Sequence, residues 1–150
     1  MAIVSIQTWV VDSSVILKWM LTHKEDWLDK ADLLLKRFIS GKIKLAAPVL
    51  AKYEVANAIR FKSYSNQEKL DFIKRFSEIP LKYYQVSAEQ IEDIMILAND
   101  RGITFYDAVF MELAQRLNAT LITANPKHQK SLPGVKVVDL KNYSVLDNSH

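Results

Sequence analysis

Three acidic residues that are far apart in the chain have the chemistry to form one catalytic site. Asp12 follows a buried, strand-like run, Glu54 lies early in a predicted helix among apolar neighbours, and Asp107 lies in the first turn of another helix. Asp107 and Phe110 are three residues apart, which places the carboxylate on the apolar face of that helix. An acid that faces inward is costly unless it has a partner. Asn125, just past a later strand, adds an amide oxygen.

Carboxylates gathered in one pocket repel one another, and a hard divalent cation is the simplest way to hold them together. Oxygen ligands supplemented by water favour Mg²⁺ or Mn²⁺ over zinc. The chain has no cysteine, and His23, His128 and His150 lack metal-ligand spacing, so we interpret them as surface residues. A cation held by acids next to a basic surface indicates phosphodiester chemistry, in which the ion activates water and neutralises charge on the phosphate.

Each acid also has a purely structural interpretation. Thr104 is a good N-cap residue, so Asp107 could complete a capping box with it. Asp12 could cap the helix that follows it. Glu54 could be a surface glutamate beside Lys52. These alternatives remain open on the sequence alone.

Strands alternate with helices along the whole chain. The patterns predict strands over residues 8–12, 44–47, 83–86, 120–123 and 135–139, and helices over 15–21, 26–40, 48–63, 66–78, 87–101 and 104–118. This alternation predicts a single domain over residues 1–150, with a polar tail from about residue 142, in the α/β class. Its architecture would be a three-layer α/β/α sandwich around a mainly parallel sheet of four or five strands. Right-handed crossovers bring the carboxyl ends of the strands to one edge, where the acids and Asn125 can converge.

The composition is that of a soluble globular domain. Hydrophobic residues make up 49% and charged residues 25% of the chain, which argues against disorder. The absence of cysteine indicates the reducing cytosol, so we expect a cytoplasmic protein. No apolar run approaches the roughly 20 residues of a membrane helix, and no signal peptide is evident. With only three glycines, the chain has no glycine-rich phosphate loop, so an ATP-binding or dinucleotide-binding fold is not expected.

Basic residues are concentrated in the middle of the chain. Residues 36–82 contain eleven of the 20 Lys and Arg but four of the 17 Asp and Glu, which leaves nine and thirteen for the remainder. A positive face of this kind suits the phosphate backbone of a nucleic acid, although a solvated helix surface looks the same in sequence.

Four short segments carry a resemblance to a known family. They are residues 10–15 (VVDSSV), 48–57 (PVLAKYEVAN), 104–108 (TFYDA) and 121–125 (LITAN). In this order and spacing the chain resembles PIN-domain ribonucleases, and most of all the VapC-type toxins of prokaryotic toxin–antitoxin pairs. The positions that match the metal-binding acids of the family are Asp12, Glu54 and Asp107. The positions expected to support the site are Ser14, Asn57, Thr104 and Thr123.

The resemblance has one departure and two further implications. The family usually has a fourth aspartate where this chain has Asn125. An amide oxygen can ligate a cation directly or through water but contributes no charge, so we expect weaker metal binding. The resemblance also implies a homodimer and a small antitoxin protein whose C-terminal segment blocks the acidic cleft.

The leading hypothesis is a Mg²⁺- or Mn²⁺-dependent endoribonuclease in which Asp12, Glu54 and Asp107 hold the ion. Lys and Arg side chains of the middle segment would position the RNA backbone. A second hypothesis is a catalytically silent PIN-like module that binds RNA or a protein through the basic face, with Asn125 as the mark of a decayed site. A third is a metal-dependent phosphatase for small substrates, which the basic face does not explain.

Overall fold

The computed structural model describes residues 5–21, 26–127 and 134–145. The strands are β1 (Thr8–Val11), β2 (Lys44–Pro48), β3 (Lys82–Tyr84), β4 (Thr120–Thr123) and β5 (Val137–Asp139). The helices are α1 (Ser13–Met20), α2 (Leu28–Ile39), α3 (Leu50–Arg60), α4 (Asn66–Glu78), α5 (Ala88–Arg101) and α6 (Phe105–Arg116), followed by a 3-10 turn at Leu140–Asn142. His23, His128 and His150 lie outside the described residues.

The five strands form one parallel sheet in the order β3-β2-β1-β4-β5. Helices α1 to α4 pack among themselves, whereas α6 packs on α5 and crosses β1, β2 and β4. Right-handed crossovers place these two groups of helices on opposite faces of the sheet. The predicted α/β class and the central parallel sheet flanked by helices are confirmed. The assignment of one domain to residues 1–150 stays a prediction.

Strand β1 lies at the centre of the sheet and of the core. Trp9, Val10 and Val11 are all fully buried, as expected for a central strand covered on both faces, because successive side chains point to opposite sides. The chain leaves β1 toward β2 and β3, and returns to β4 and β5 on the other side. The strand order therefore reverses between β1 and β4. The carboxyl ends of these two strands form the crevice in which open α/β sheets bind their ligands.

The helix predicted to open at Pro48 begins later, so that prediction was wrong. Pro48 is the last residue of β2 and pairs with Tyr84 of β3, beyond Ala46, where the pairing with β1 ends. Its missing N–H therefore removes no bond from the β1–β2 ladder. The next residue, Val49, donates its N–H to the Tyr84 carbonyl at 2.9 Å, and α3 starts at Leu50.

None of the helices within the described ranges is both long enough and apolar enough to cross a membrane.

The core extends to Tyr143, one residue beyond the predicted start of the polar tail. Tyr143 is fully buried, and its ring meets Trp9 edge to face, with centroids 5.4 Å apart and an interplanar angle of 86°. Lys30 Nζ donates to the Tyr143 carbonyl at 2.9 Å. The segment after β5 is thus tied to the central strand and to α2.

Removal of the Tyr143 ring should destabilise the fold. Tyr143→Ala is expected to lower the free energy of unfolding by about 3–5 kcal/mol, because it leaves a cavity against Trp9. Urea denaturation followed by circular dichroism measures the change. Tyr106→Ala is the matched control, since that side chain is 60% exposed, and it should shift stability by less than about 0.5 kcal/mol. Equally small effects of the two changes would contradict a core role for Tyr143.

Candidate metal centre

Asp12 lies directly after β1, at the crevice between β1 and β4. Its backbone N–H donates to the Ile122 carbonyl of β4 at 3.0 Å, which ties the two strand ends together. The residue is only 9% exposed. Thr123, the last residue of β4, is fully buried beside it. The sheet therefore brings together residues that are 111 positions apart in the chain.

Two hydroxyl groups hold the Asp12 carboxylate. Its Oδ2 accepts hydrogen bonds from Ser14 Oγ at 2.6 Å and from Thr123 Oγ1 at 2.9 Å. Ser14 Oγ accepts the Ala124 N–H at 3.0 Å, and Thr123 Oγ1 accepts the Asn125 N–H at 2.9 Å. Each hydroxyl thus accepts one backbone N–H and donates its single proton to the Asp12 carboxylate. This second layer of bonds fixes the orientation of a potential ligand.

The capping interpretation of Asp12 was wrong. Asp12 occupies the N-cap position of α1, where the N–H of Ser13 interacts with its carboxylate, but within the described segment 5–21 the side chain makes no N-cap hydrogen bond further into the helix. The carboxylate is instead committed to Ser14 and Thr123. The hydrogen bond to Thr123, on a distant strand, indicates that this residue orients the Asp12 carboxylate for a role other than capping α1.

Glu54 is not a simple surface glutamate. It is half-buried on α3, and its Oε1 accepts a hydrogen bond from Ser13 Oγ at 2.8 Å, across 41 positions of sequence. Ser13, which is buried, is a site residue that the sequence analysis missed. The signal was the serine pair after β1. Adjacent side chains at a helix start point about 100° apart, so Ser13 reaches Glu54 and Ser14 reaches Asp12.

Asp107 opens α6 without completing a capping box. Thr104 Oγ1 accepts the Asp107 N–H at 3.0 Å, as predicted for an N-cap. The reciprocal carboxylate bond forms at the starts of α4 and α5, where Ser65 pairs with Glu68 and Ser87 with Gln90. It is missing at α6 among the described residues. The capping-box interpretation was therefore wrong, and the half-buried carboxylate of Asp107 is not used to cap its helix.

The three acids influence one another electrostatically. Burial raises the pKa of Asp12. The hydrogen bonds from the Ser14 and Thr123 hydroxyls and from the Ser13 backbone lower it, and the charge of Asp107 raises it. Burial also raises the pKa of Glu54; the bond from Ser13 lowers it, and the charges of Asp12 and Asp107 raise it. The structure thus places three like charges within reach of each other. Ordinarily such a group is stabilised by a cation.

The donor set fits a hard cation that keeps part of its hydration. Among residues 5–21, 26–127 and 134–145, no three acidic or histidine side chains are close enough to hold one ion together. Mg²⁺ typically uses one or two carboxylates and retains several waters. The fixed carboxylate of Asp12, with the charges of Glu54 and Asp107 acting at the same site, meets that requirement if water bridges the remaining distances. Mg²⁺ and Mn²⁺ therefore suit these residues better than zinc.

Two of the predicted site residues are peripheral. The Asn125 side chain is exposed and lines a cavity of about 280 Å³ together with Ser14, Lys18 and Lys62. Its backbone N–H, not its amide group, supports the site through Thr123. Asn57 is exposed on α3. The role of both side chains as ligands or neighbours of a cation stays a prediction.

The sequence model of the PIN domain matches residues 9–133, so the chain belongs to the PIN-domain family. The family resemblance is therefore confirmed. A sequence search of curated proteins finds no significant match.

Several solved structures are similar to this chain. PAE2754 from Pyrobaculum aerophilum is 21% identical, with a TM-score of 0.65 over 90% of each chain. VapBC2 from Rickettsia felis, bound to a promoter DNA fragment, is 17% identical, with a TM-score of 0.65 over 89% of this chain and 98% of that one. VapC20 from Mycobacterium tuberculosis, a sarcin-ricin loop cleaving toxin, is 15% identical, with a TM-score of 0.54 over 75% and 86%. At these identities the likeness shows a common fold.

Neutralising Asp12 should stabilise the metal-free protein. A carboxyl group whose pKa in the fold lies above its usual value of 3.8 contributes stability that is fully present below pH 3.8. That contribution is lost as the pH rises through the raised pKa. In EDTA at neutral pH, Asp12→Asn is therefore expected to increase the free energy of unfolding and to raise Tm.

Thermal melts in EDTA at several pH values measure this effect, and the gain should shrink toward acid pH. Asp93→Asn, at an exposed position on α5, is the matched control and should leave Tm unchanged. If Asp12→Asn is less stable than wild type at neutral pH, the hydroxyl bonds outweigh the cost of burying the charge.

Proposed function

We propose that this PIN-domain protein is a Mg²⁺- or Mn²⁺-dependent endoribonuclease and the toxin of a VapC-type toxin–antitoxin pair. One observation carries the proposal most directly. The buried Asp12 carboxylate is held by hydroxyls from two elements, at the crevice of a PIN-domain sheet, within electrostatic reach of Glu54 and Asp107. A buried, oriented acid among like charges is typical of catalytic sites.

Each acidic residue has a separate role in the proposed reaction. A bound divalent ion supplies activation of water and neutralisation of phosphate charge. Asp12 offers a fixed carboxylate, because Ser14 and Thr123 restrain it. Glu54 uses Oε1 to accept the Ser13 bond, so Oε2 is the oxygen available to orient a water or accept its proton. Asp107, at the start of α6, supplies the third negative charge.

The basic cavity beside this centre suits the RNA backbone. Lys18 and Lys62 line it, together with Ser14, the residue whose hydroxyl also holds Asp12. Phosphates on either side of the bond to be cleaved would meet these ammonium groups while the acids face the scissile group. Contacts of this kind set position without reading sequence. Lys62 belongs to the basic middle segment of the chain, residues 36–82, whereas Lys18 lies outside it.

The proposed partners draw on the similar structures. VapC20 from Mycobacterium tuberculosis is a toxin that cleaves the sarcin-ricin loop, and VapBC2 from Rickettsia felis is a VapBC protein bound to promoter DNA. We infer for this chain an RNA substrate, a small antitoxin, a homodimeric state and a cytoplasmic location. Exposed apolar side chains on α5, among them Ile91, Met95 and Ile96, offer surface for a protein partner.

The catalytically silent binding module remains the second candidate, and one observation favours it. In the described residues, no three acids are close enough to share an ion, and the side chain that replaces the usual fourth aspartate, Asn125, is exposed. A silent module would keep the basic cavity and would not need a cation.

Cleavage of RNA separates the two candidates. Purified protein is incubated with tRNA, ribosomal RNA and unstructured RNA in Mg²⁺, Mn²⁺ or EDTA. Wild type should cleave only with metal, and Asp107→Asn should reduce the rate roughly 10- to 100-fold, because one of the three negative charges around the proposed ion is lost. Asp93→Asn, which alters an exposed acid on α5, should cleave like wild type.

Wild type and Asp107→Asn that are equally active, or both inactive, would refute the nuclease proposal. Equal activity would indicate a contaminating nuclease. Inactivity of both, together with retained RNA binding, would favour the silent module.

Restoring the missing acid should strengthen metal binding. Asn125→Asp is expected to tighten Mn²⁺ binding roughly tenfold if the side chain contacts the ion directly or through water. Isothermal titration calorimetry measures the change. Asn99→Asp, at an exposed position on α5, controls for added charge. Unchanged affinity would show that the side chain of residue 125 lines the basic cavity but does not bind the ion.

A further inference from the structure

The face of α3 that carries Glu54 continues to an exposed aromatic ring. Phe61 follows Glu54 by seven residues and keeps helical backbone angles at the end of α3, with φ −86° and ψ −4°. Seven residues complete almost two helical turns, so the two side chains leave α3 in directions only about 20° apart. They are separated by about 10 Å along the helix axis. Phe61 therefore lies on the side of α3 that leads away from the acidic centre.

The basic cavity connects Phe61 to the acidic centre by a second route. Lys62, the next residue, lines the cavity of about 280 Å³ that Ser14 also lines, and Ser14 donates to Asp12. An RNA strand with its scissile phosphate at the acids and a neighbouring phosphate in this cavity thus reaches Phe61. The helix face and the cavity are independent observations, and both place the ring beside the same path.

The Phe61 ring is covered by a cation on one side and open to solvent elsewhere. Arg60 Cζ lies over the ring, 4.9 Å from its centroid, and the residue is still 73% exposed. Asn57, one helical turn before Phe61, is also exposed. Residues four positions apart are neighbours on a helix surface. An amide group with both donors and an acceptor therefore accompanies the ring.

We propose that Phe61 and Asn57 form a base-binding subsite for an unpaired nucleotide next to the phosphodiester that is cleaved. The inference rests on the proposed endoribonuclease function and deepens it. Proteins bind single-stranded RNA by stacking its bases on aromatic rings and by hydrogen bonding to the base edges. Phe61 supplies the ring and Asn57 the amide. Arg60 and Lys62 supply positive charge for the adjoining phosphates.

The charges around Phe61 favour RNA over a protein partner. Residues 57–75 contain five Lys and Arg but only two Asp and Glu. Both acids, Glu68 and Asp71, accept hydrogen bonds from residues at the start of α4. The positive charge of this segment is therefore not balanced locally, and it suits a polyanion such as the RNA backbone.

The position of Phe61 at the end of α3 would by itself repel a phosphate, because the carbonyl groups at a helix C-terminus carry partial negative charge. Lys69 of α4 offsets this charge, since its Nζ donates to the Arg60 carbonyl at 2.7 Å. An anion can therefore approach the ring from the end of the helix.

The small antitoxin is the competing occupant, because an exposed phenyl ring also suits an apolar side chain of a protein. The two occupants make different demands on the site. A protein contact needs apolar surface at Phe61 whatever its shape, whereas a stacked base needs a flat ring. Recognition by Asn57 would in addition make cleavage depend on the identity of the base.

Binding of short RNA with single abasic nucleotides tests the stacking. Unstructured oligoribonucleotides, intact or abasic at one position each, are titrated by fluorescence anisotropy with Ca²⁺ in place of Mg²⁺ to limit cleavage. Phe61→Ala should weaken binding of the intact RNA roughly five- to hundredfold. Phe61→Leu keeps an apolar side chain without the ring and should also bind more weakly than wild type, whereas Phe61→Tyr should bind like wild type. Ile39→Ala is the matched control, because it removes an apolar side chain that is 62% exposed at the end of α2.

One abasic position should cost wild type a similar factor, and Phe61→Ala should lose nothing further at that position. This non-additivity is the signature of a base that stacks on the substituted ring. Additive losses, or an affinity for RNA that does not depend on residue 61, would overturn the subsite and leave the nuclease proposal standing. Failure of wild type to bind or cleave any RNA would overturn both.

The base preference of cleavage tests the role of Asn57. RNAs that differ only in the base at the position found by the abasic scan are cleaved in Mg²⁺. Asn57→Ala should reduce the ratio of kcat/KM between the best and the worst base roughly fivefold, because a hydrogen bond to the base edge is lost. An unchanged ratio, or a wild type without base preference, would remove Asn57 from the subsite.

Discussion

The placement of the Asp12 carboxylate is the constraint on which the rest of the site depends. A carboxylate that is 9% exposed must be compensated within the fold. The hydroxyls of Ser14 and Thr123 provide part of that compensation, and backbone N–H groups after β4 direct both hydroxyls. The raised pKa shows that the compensation is incomplete. A cation at this position would offset the remaining cost of burying the charged carboxylate. The group that is costly to the fold is therefore also the group that the proposed function uses.

The other acids follow from this arrangement. Ser13 belongs to the same turn as Asp12, so the start of α1 carries hydroxyls for two different carboxylates. One hydroxyl reaches Glu54 on α3 and the other reaches Asp12. Asp107 is brought in from the opposite layer, because α6 crosses the sheet over β1, β2 and β4. Helices on both faces of the sheet therefore contribute to one crevice. The strand order determines where that crevice lies.

Much of this arrangement could be predicted from the sequence, because the signals are local and physical. Apolar runs ended by acids indicated buried parallel strands, and caps such as Thr104 and Ser87 marked helix starts that the structure confirms. The boundary at Pro48 could not be predicted, since proline suits both a first helical turn and the end of a strand. Only the pairing with Tyr84 decides between them. The hydrogen bond from Ser13 to Glu54 could not be predicted either, because the two residues are 41 positions apart in the sequence. Whether Asp107 capped its helix depended on one side-chain orientation, which no local pattern encodes.

The distance in sequence between Asp12 and Thr123 has a consequence for synthesis of the protein. The two residues are 111 positions apart, and the Asp12 N–H bonds to Ile122 of the same late strand. A chain still emerging from the ribosome has β1, α1 and the serine pair long before it has β4. Until β4 docks, Asp12 lacks one of its two hydroxyls and the wall on its far side. The proposed acidic site would therefore be completed only after β4 has been made, 111 residues after Asp12.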